Sequence, residues 1–209
     1  MHAHRFEITD EQLAYAHRLV AHSVREHRVQ NIWDTEKLHA NRTDELRLTG
    51  TLGEIIFADL HGLGRPQRSF GADDGQDYGS DFRVTTQEGE RNFDVKTMSR
   101  NTGALGLDYV LNIPGRNITR TDVVTTDYVC ISLHPRQELK WATLVGEVPR
   151  HKILSGETGI LYKAGSVRTR ADGSTFKFYS DTYEICFAEL SPASALSAFP
   201  INSFEVEIK

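Results

Sequence analysis

A chain of 209 residues, 39% apolar and 25% charged, can bury one core of ordinary size and is too apolar to stay disordered. Its 24 basic and 29 acidic residues leave a formal charge of −5, which excludes a basic coat that would hold nucleic acid or anionic membrane indiscriminately. No apolar run nears the ~20 residues of a membrane helix, so no membrane partner is expected.

In chain order, Met1-His2-Ala3-His4-Arg5-Phe6-Glu7 lacks an apolar export signal. Thr9 followed by Gln12 predicts a capped helix start. Leu13, Ala16, Leu19, Val20 and Val24 then recur at helical spacing to about Arg28. Residues 29–45 are polar without a period. A second helix is predicted from Leu46 or Thr51 to Leu60, ended by His61-Gly62. Gly71 to Gly79 reads as a Gly- and Asp-rich turn, and the spacing of Asp73, Asp74 and Asp77 is not that of a calcium loop. Asp81–Thr86 and Arg91–Met98 alternate around Gln87-Glu88-Gly89-Glu90, a hairpin signal. Strands are expected at Tyr109–Ile113, Tyr128–Leu133, Lys140–Val148, Thr175–Tyr179 and Tyr183–Leu190, with short helices at Pro149–Leu154 and Ser191–Phe199. Helices first and strands after predict a single α/β (α+β) domain over 1–209, with an N-terminal helical part at 1–62 and a core at about 46–190. Cys130 and Cys186 cannot build a disulfide framework; they fit small buried hydrophobes in a reducing, cytoplasmic setting.

The hairpin gathers chemistry. Side chains alternate faces along a strand, so burying Phe82, Val84, Phe93 and Val95 together sends Asp81, Asp94 and Lys96 to the other face. A turn centred between Glu88 and Gly89 sets Asp81 opposite Lys96, with Asp94 one diagonal away. Two carboxylates at short range need a positive charge between them. Mg²⁺ takes oxygen ligands from one or two carboxylates, water and substrate phosphate. Glu54 adds a third carboxylate from the second helix, where Gly53 permits close approach to the sheet.

Asp81, then Asp94-x-Lys96, with Glu54 on a preceding helix, resembles the PD-(D/E)XK nuclease superfamily over roughly residues 46–100. Ser80 stands where the superfamily's name puts Pro. The resemblance implies a restriction-endonuclease-like mixed sheet flanked by helices and metal-dependent hydrolysis of a phosphodiester, usually in DNA. It implies Asp81 and Asp94 as ligands of Mg²⁺, with Mn²⁺ able to substitute, and the Val95 carbonyl as a third. Lys96 would be the catalytic lysine and Glu54 the accessory acid. The bare acid-x-Lys pattern is weak: 29 acids and 7 lysines in 209 positions give about one chance match, and three occur. Only Asp94-Val95-Lys96 has an upstream acid on a register-compatible strand; Glu138-Leu139-Lys140 and Glu207-Ile208-Lys209 do not.

The charge is uneven along the chain. Residues 1–99 hold 12 basic and 17 acidic residues, 100–180 hold 11 and 7, and 181–209 hold 1 and 5. The basic middle is where a polyanion would sit. Its candidates for substrate contact are Ser99, Arg100 and Asn101 directly after the catalytic strand, Asn112, and Arg116 and Arg120 in the following loop. Two further basic clusters are Arg150-His151-Lys152 and Lys163 with Arg168 and Arg170. The expected substrate is double-stranded DNA, and a homodimer would supply a site for each strand. The rivals are an RNA-cleaving or structure-specific nuclease on the same core, and a non-catalytic nucleic-acid- or protein-binding module.

Overall fold

In the computed structural model, which describes residues 1–26, 40–67, 80–86, 89–169, 173–193 and 203–209, the chain opens with a strand, β1 (His2–Glu7). Periodicity missed it because Ala3 and Phe6 are buried on opposite faces, which breaks the alternation of a half-exposed strand. Helix α1 (Asp10–Glu26) follows behind the expected capping box: the Thr9 amide donates to Gln12 Oε1 at 3.0 Å, and the Gln12 amide to Thr9 Oγ1 at 3.1 Å. Helix α2 (Ala40–Leu60) begins well before the expected Leu46, so part of the polar stretch without a period is helical. Gly62, at φ +64°, follows its end.

Strands β2 (Phe82–Thr86), β3 (Gly89–Ser99), β4 (Val110–Pro114), β5 (Asp127–His134) and β6 (Trp141–Pro149) lie near their expected places. Helix α3 (Gly115–Thr119) stands where a loop was expected, so Arg116 is on a helix. Helix α4 (Arg150–Leu154) follows Pro149 as its N-cap. Short strands β7 (Ile160–Tyr162), β8 (Val167–Thr169), β9 (Thr175–Lys177), β10 (Thr182–Cys186) and β11 (Phe204–Glu207) complete the chain, with a 3₁₀ turn at Phe187–Glu189. The Asp-rich turn at 71–79, the expected first-helix end at Arg28, and Arg170 lie outside the described residues, as does most of the expected last helix.

A six-stranded mixed sheet runs β11-β1-β6-β5-β3-β2. Only β3 and β5 pair in parallel; the other neighbours are antiparallel. The expected helical part at 1–62 therefore begins with a strand of the central sheet, and β11 joins that sheet from beyond residue 190. All eight residues of β5 are buried. Val129, Ile131 and Leu133 point to the face covered by α1 and α2, where Leu52, Ile55, Ile56 and Phe57 pack. Tyr128 and Cys130 point to the other face, covered by the β4-β10-β7 sheet. Burial on both faces is what makes β5 read as a continuous apolar run. Both cysteines are unpaired; Cys130 is buried, Cys186 half-buried.

Candidate active site

The β2–β3 register differs from the expected one by two residues. Phe82 lies opposite Phe93 and Val84 opposite Arg91. A shift of two keeps the faces, but it sets Asp81, not yet in the strand, level with Asp94 instead of Lys96. The Asp81 amide donates to the Phe93 carbonyl at 2.8 Å. The chain then bends away, and the Asp81 carboxylate itself accepts the Val95 amide at 2.6 Å. Asp81 therefore lies at the open edge of β3, where β2 has not yet begun, and not on one face as alternation predicts.

That edge is where the two faces meet. Phe93 and Val95 point toward α2. Asp94 and Lys96 point the other way, level with Tyr128 and Cys130 of β5. Lys96 Nζ forms an ion pair with Asp94 Oδ1 and lies 5.9 Å from the centre of the Tyr128 ring. The Tyr128 hydroxyl donates to the Asn117 carbonyl of α3 at 2.7 Å, which fixes the ring. Glu54, on α2, is buried, and Gly53 lets α2 close onto β3: a Cβ there would meet Thr97 Oγ1 at 1.8 Å. The N–H and C=O of one strand residue point to the same side, so the Val95 carbonyl shares the edge with Asp81.

Charge sets the protonation of the group. Burial, then Glu54, then Asp94 raise the Asp81 pKa well above the usual carboxylate value; Lys96 and the Val95 amide only partly offset them. For Lys96, burial works against the ammonium, but Asp94, Asp81 and Glu54 together outweigh it and hold the pKa above its usual value. Burial and the neighbouring Asp94 push the Tyr128 phenol up. Three carboxylates thus share one ammonium, an excess of negative charge that a cation would offset.

The donor set fits a hard divalent cation in kind, since every donor is oxygen. In its present geometry the set is not gathered: among the described residues, no three His, Cys, Asp or Glu side chains form a group placed to hold a metal. Asp94 is engaged by Lys96 and Asp81 by the Val95 amide. Metal ligation would need the Asp94 carboxylate to turn from Lys96.

The candidates for substrate contact separate. Ser99 ends β3, and its carbonyl accepts from Arg136 Nη2 at 3.0 Å. Arg100 lies against both Tyr109 and Phe187, with its guanidinium carbon 4.4 and 5.3 Å from the ring centres. Asn101 is exposed. Asn112 is exposed on β4 opposite Glu184, and Arg116 is exposed on α3. Arg120 is held by Asp122. Arg150 is spent on the backbone, donating to the Ile118, Arg120 and Val123 carbonyls. Lys163 pairs with Asp181 at 2.9 Å, and Arg168 with buried Glu184 at 3.0 Å. Sequence reading missed Tyr128, whose place beside Lys96 depends on the parallel β3–β5 register, and nothing local in the sequence encodes that.

The chain matches no family profile, no curated protein and no solved structure at a significant level. No helix among the described residues is long and apolar enough to cross a membrane.

Proposed function

We propose that the chain is a divalent-metal-dependent endonuclease of restriction-endonuclease-like fold that hydrolyses phosphodiesters, in DNA first of all. The observation that carries this reading is the meeting of Glu54, Asp81 and Asp94 with Lys96 at one sheet edge, with the Asp81 pKa raised by its neighbours. Asp81, Asp94, the Val95 carbonyl and Glu54 would hold Mg²⁺ or Mn²⁺. Bound there, such a cation lowers the pKa of a coordinated water and offsets charge on the phosphate. Lys96 stays protonated, and its three donors can orient the attacking water and stabilise charge that builds on the phosphoryl oxygens. The Tyr128 ring lies 5.9 Å from the Lys96 ammonium, and the close approach of α2 at Gly53 supports a role for Glu54, whose charge acts on Asp81 and Lys96. Cutting both strands of a duplex calls for two such sites, which a homodimer would provide.

One observation favours a non-catalytic binding module instead: among the described residues the carboxylates as placed form no gathered metal group. Calorimetric titration with Mg²⁺ and Mn²⁺ separates the two readings. The endonuclease reading expects metal binding that Asp81→Asn and Asp94→Asn remove, and metal-dependent cutting of DNA that Lys96→Ala and Asp94→Asn abolish. Undiminished cutting by both variants would sink the site assignment. A panel of duplex, flap, four-way junction and RNA identifies the substrate structure.

A further inference from the structure

Several arginines are held by carboxylates: Arg65 by Asp59 and Glu11, Arg91 by Asp127 and Glu147, and Arg168 by Glu184. Arg5, Arg100 and Arg136 differ: among the described residues they form no ion pair with a carboxylate, and their hydrogen bonds go to Thr143, Met98 and the Gly103 and Ser99 carbonyls. Arg100 and Arg136 lie side by side where β3 and β5 end, and Arg5 reaches the adjoining loop at Gly103. Arg5 of β1 lies level with Thr143 and, across β6 and β5, with Ser132 and Met98, on the same sheet face as Lys96. Its Nε donates to Thr143 Oγ1 at 3.1 Å and its Nη2 to the Gly103 carbonyl. Arg100 follows β3 directly and lies close enough to Arg136 that their charges interact.

The cluster is built and not scattered. The Arg100 guanidinium lies against two aromatic rings, and its Nε is buried without a hydrogen-bond partner. Only glycine fits at 103: a Cβ there would lie 2.6 Å from His134 Nε2 and 3.2 Å from Arg5 Nη1. His134 is buried and takes no acid partner either; burial and the nearby Arg5 lower its pKa to about 4. The Arg100 and Arg136 guanidiniums repel each other, and the planar fork of arginine matches phosphate oxygens.

We infer that Arg5, Arg100 and Arg136 form a binding site for a phosphodiester of the nucleic-acid backbone, away from the reacting phosphate. This rests on the endonuclease reading for the identity of the polyanion. Four residues of extended chain separate Lys96 from Arg100, roughly 13 Å. That is the rise of about four nucleotides at 3.4 Å each. A phosphate held there would fix the register of the strand on the cutting edge while carrying no base information.

The test is anisotropy of a short labelled duplex titrated with the full chain in EDTA, so that nothing is cut. Arg136→Gln, an exposed and fold-neutral change, is expected to weaken binding roughly tenfold on any sequence and to lower the log–log salt slope by about one. Arg5→Gln and Arg100→Gln should do the same, and Arg100→Lys should recover part of the loss. Circular dichroism melts verify that each variant is folded. A triple variant that is folded and binds the duplex with wild-type affinity and salt slope overturns the inference. So does calorimetry in which inorganic phosphate binds wild type and not the triple variant while duplex affinity is equal, since the site then serves a free anion. Loss of duplex affinity upholds it even where Lys96→Ala cuts as well as wild type, a result that would remove only the endonuclease reading.

Discussion

The Asp81 carboxylate accepts the Val95 amide at 2.6 Å, taking the place that a strand carbonyl would take had β2 begun earlier. The side chain both ends the ladder and satisfies the backbone it leaves behind. Because it lies at the edge, it feels Glu54 from the helical face and Asp94 from the other. Neither face alone would bring both of those charges to bear on it.

Asp81→Asn is expected to stabilise the protein while removing activity. An aspartate in the unfolded chain ionises near pH 4. Folded Asp81 keeps its proton to higher pH because burial, Glu54 and Asp94 disfavour the anion. Between those two values the folded state binds more protons, so stability falls as pH rises through the window. Asparagine can still accept the Val95 amide and carries no charge. The expected rise in Tm at pH 7 is about 2–4 °C, what ~1 kcal/mol does in a domain of this size. It should vanish below about pH 4, where aspartate is protonated in both states. A lower Tm at pH 7 in the folded variant would contradict the charge reading.

Lys96→Met should act in the opposite direction. The raised Lys96 pKa means that its contribution to stability is present throughout the range below its unfolded pKa and is lost only as pH climbs through the folded value. Removing the ammonium leaves Asp94, Asp81 and Glu54 facing one another. Loss of one partner from a buried ion pair costs about 3–5 kcal/mol. Urea unfolding at pH 8 and pH 5 should show the larger loss at pH 8, because the carboxylates take up protons as the pH falls. Adding Asp94→Asn should return part of the stability, and the double-mutant cycle measures the coupling.

The pairing of Asp94 with Lys96 was legible in the sequence because it is local: they are two residues apart, and the apolar residues Phe93 and Val95 determine which face they take. The exact register was not. Moving the centre of the pairing by one residue from the expected point between Glu88 and Gly89 shifts every cross-strand partner by two, and a shift of two leaves the hydrophobic pattern unchanged. Strand β1 was hidden because it is covered on both faces, and α2 began earlier than its apolar stripe. The arginine cluster draws on β1, β3 and the segment after β5, so no window of sequence contains it.

His61 predicts acid sensitivity away from the site. Its ring packs on Phe57 with centroids 4.4 Å apart, and its Nδ1 is buried without a hydrogen-bond partner. Burial lowers its pKa to about 4, against about 6.5 in the unfolded chain. Stability carried by the neutral ring is complete above the unfolded value and is lost as pH falls toward the folded one. Replacing it by the uncharged ring of His61→Phe should reduce the loss in unfolding free energy between pH 7 and pH 5 by about 1–2 kcal/mol. An identical pH dependence in the two proteins would show that the folded histidine takes up its proton readily.

Gly53→Ala tests the contact that delivers Glu54. Alanine is the better helix former, by about 1 kcal/mol in an exposed helix, so propensity alone predicts stabilisation. Here the added Cβ would stand 1.8 Å from Thr97 Oγ1 and 2.8 Å from Thr97 Cβ and Cγ2. Helix and strand must then separate, and overpacking of this kind costs about 1–3 kcal/mol or more. Displacing α2 also carries Glu54 away from Asp81, so activity should fall further than stability explains. Thr97→Ala in the same chain removes the hydroxyl and one methyl but keeps Cβ at 2.8 Å, so rescue should be partial. Chemical denaturation of the two single variants and the double variant, beside cleavage rates at a temperature where all are folded, separates the two effects. A stabilised Gly53→Ala would mean that α2 does not lie against Thr97.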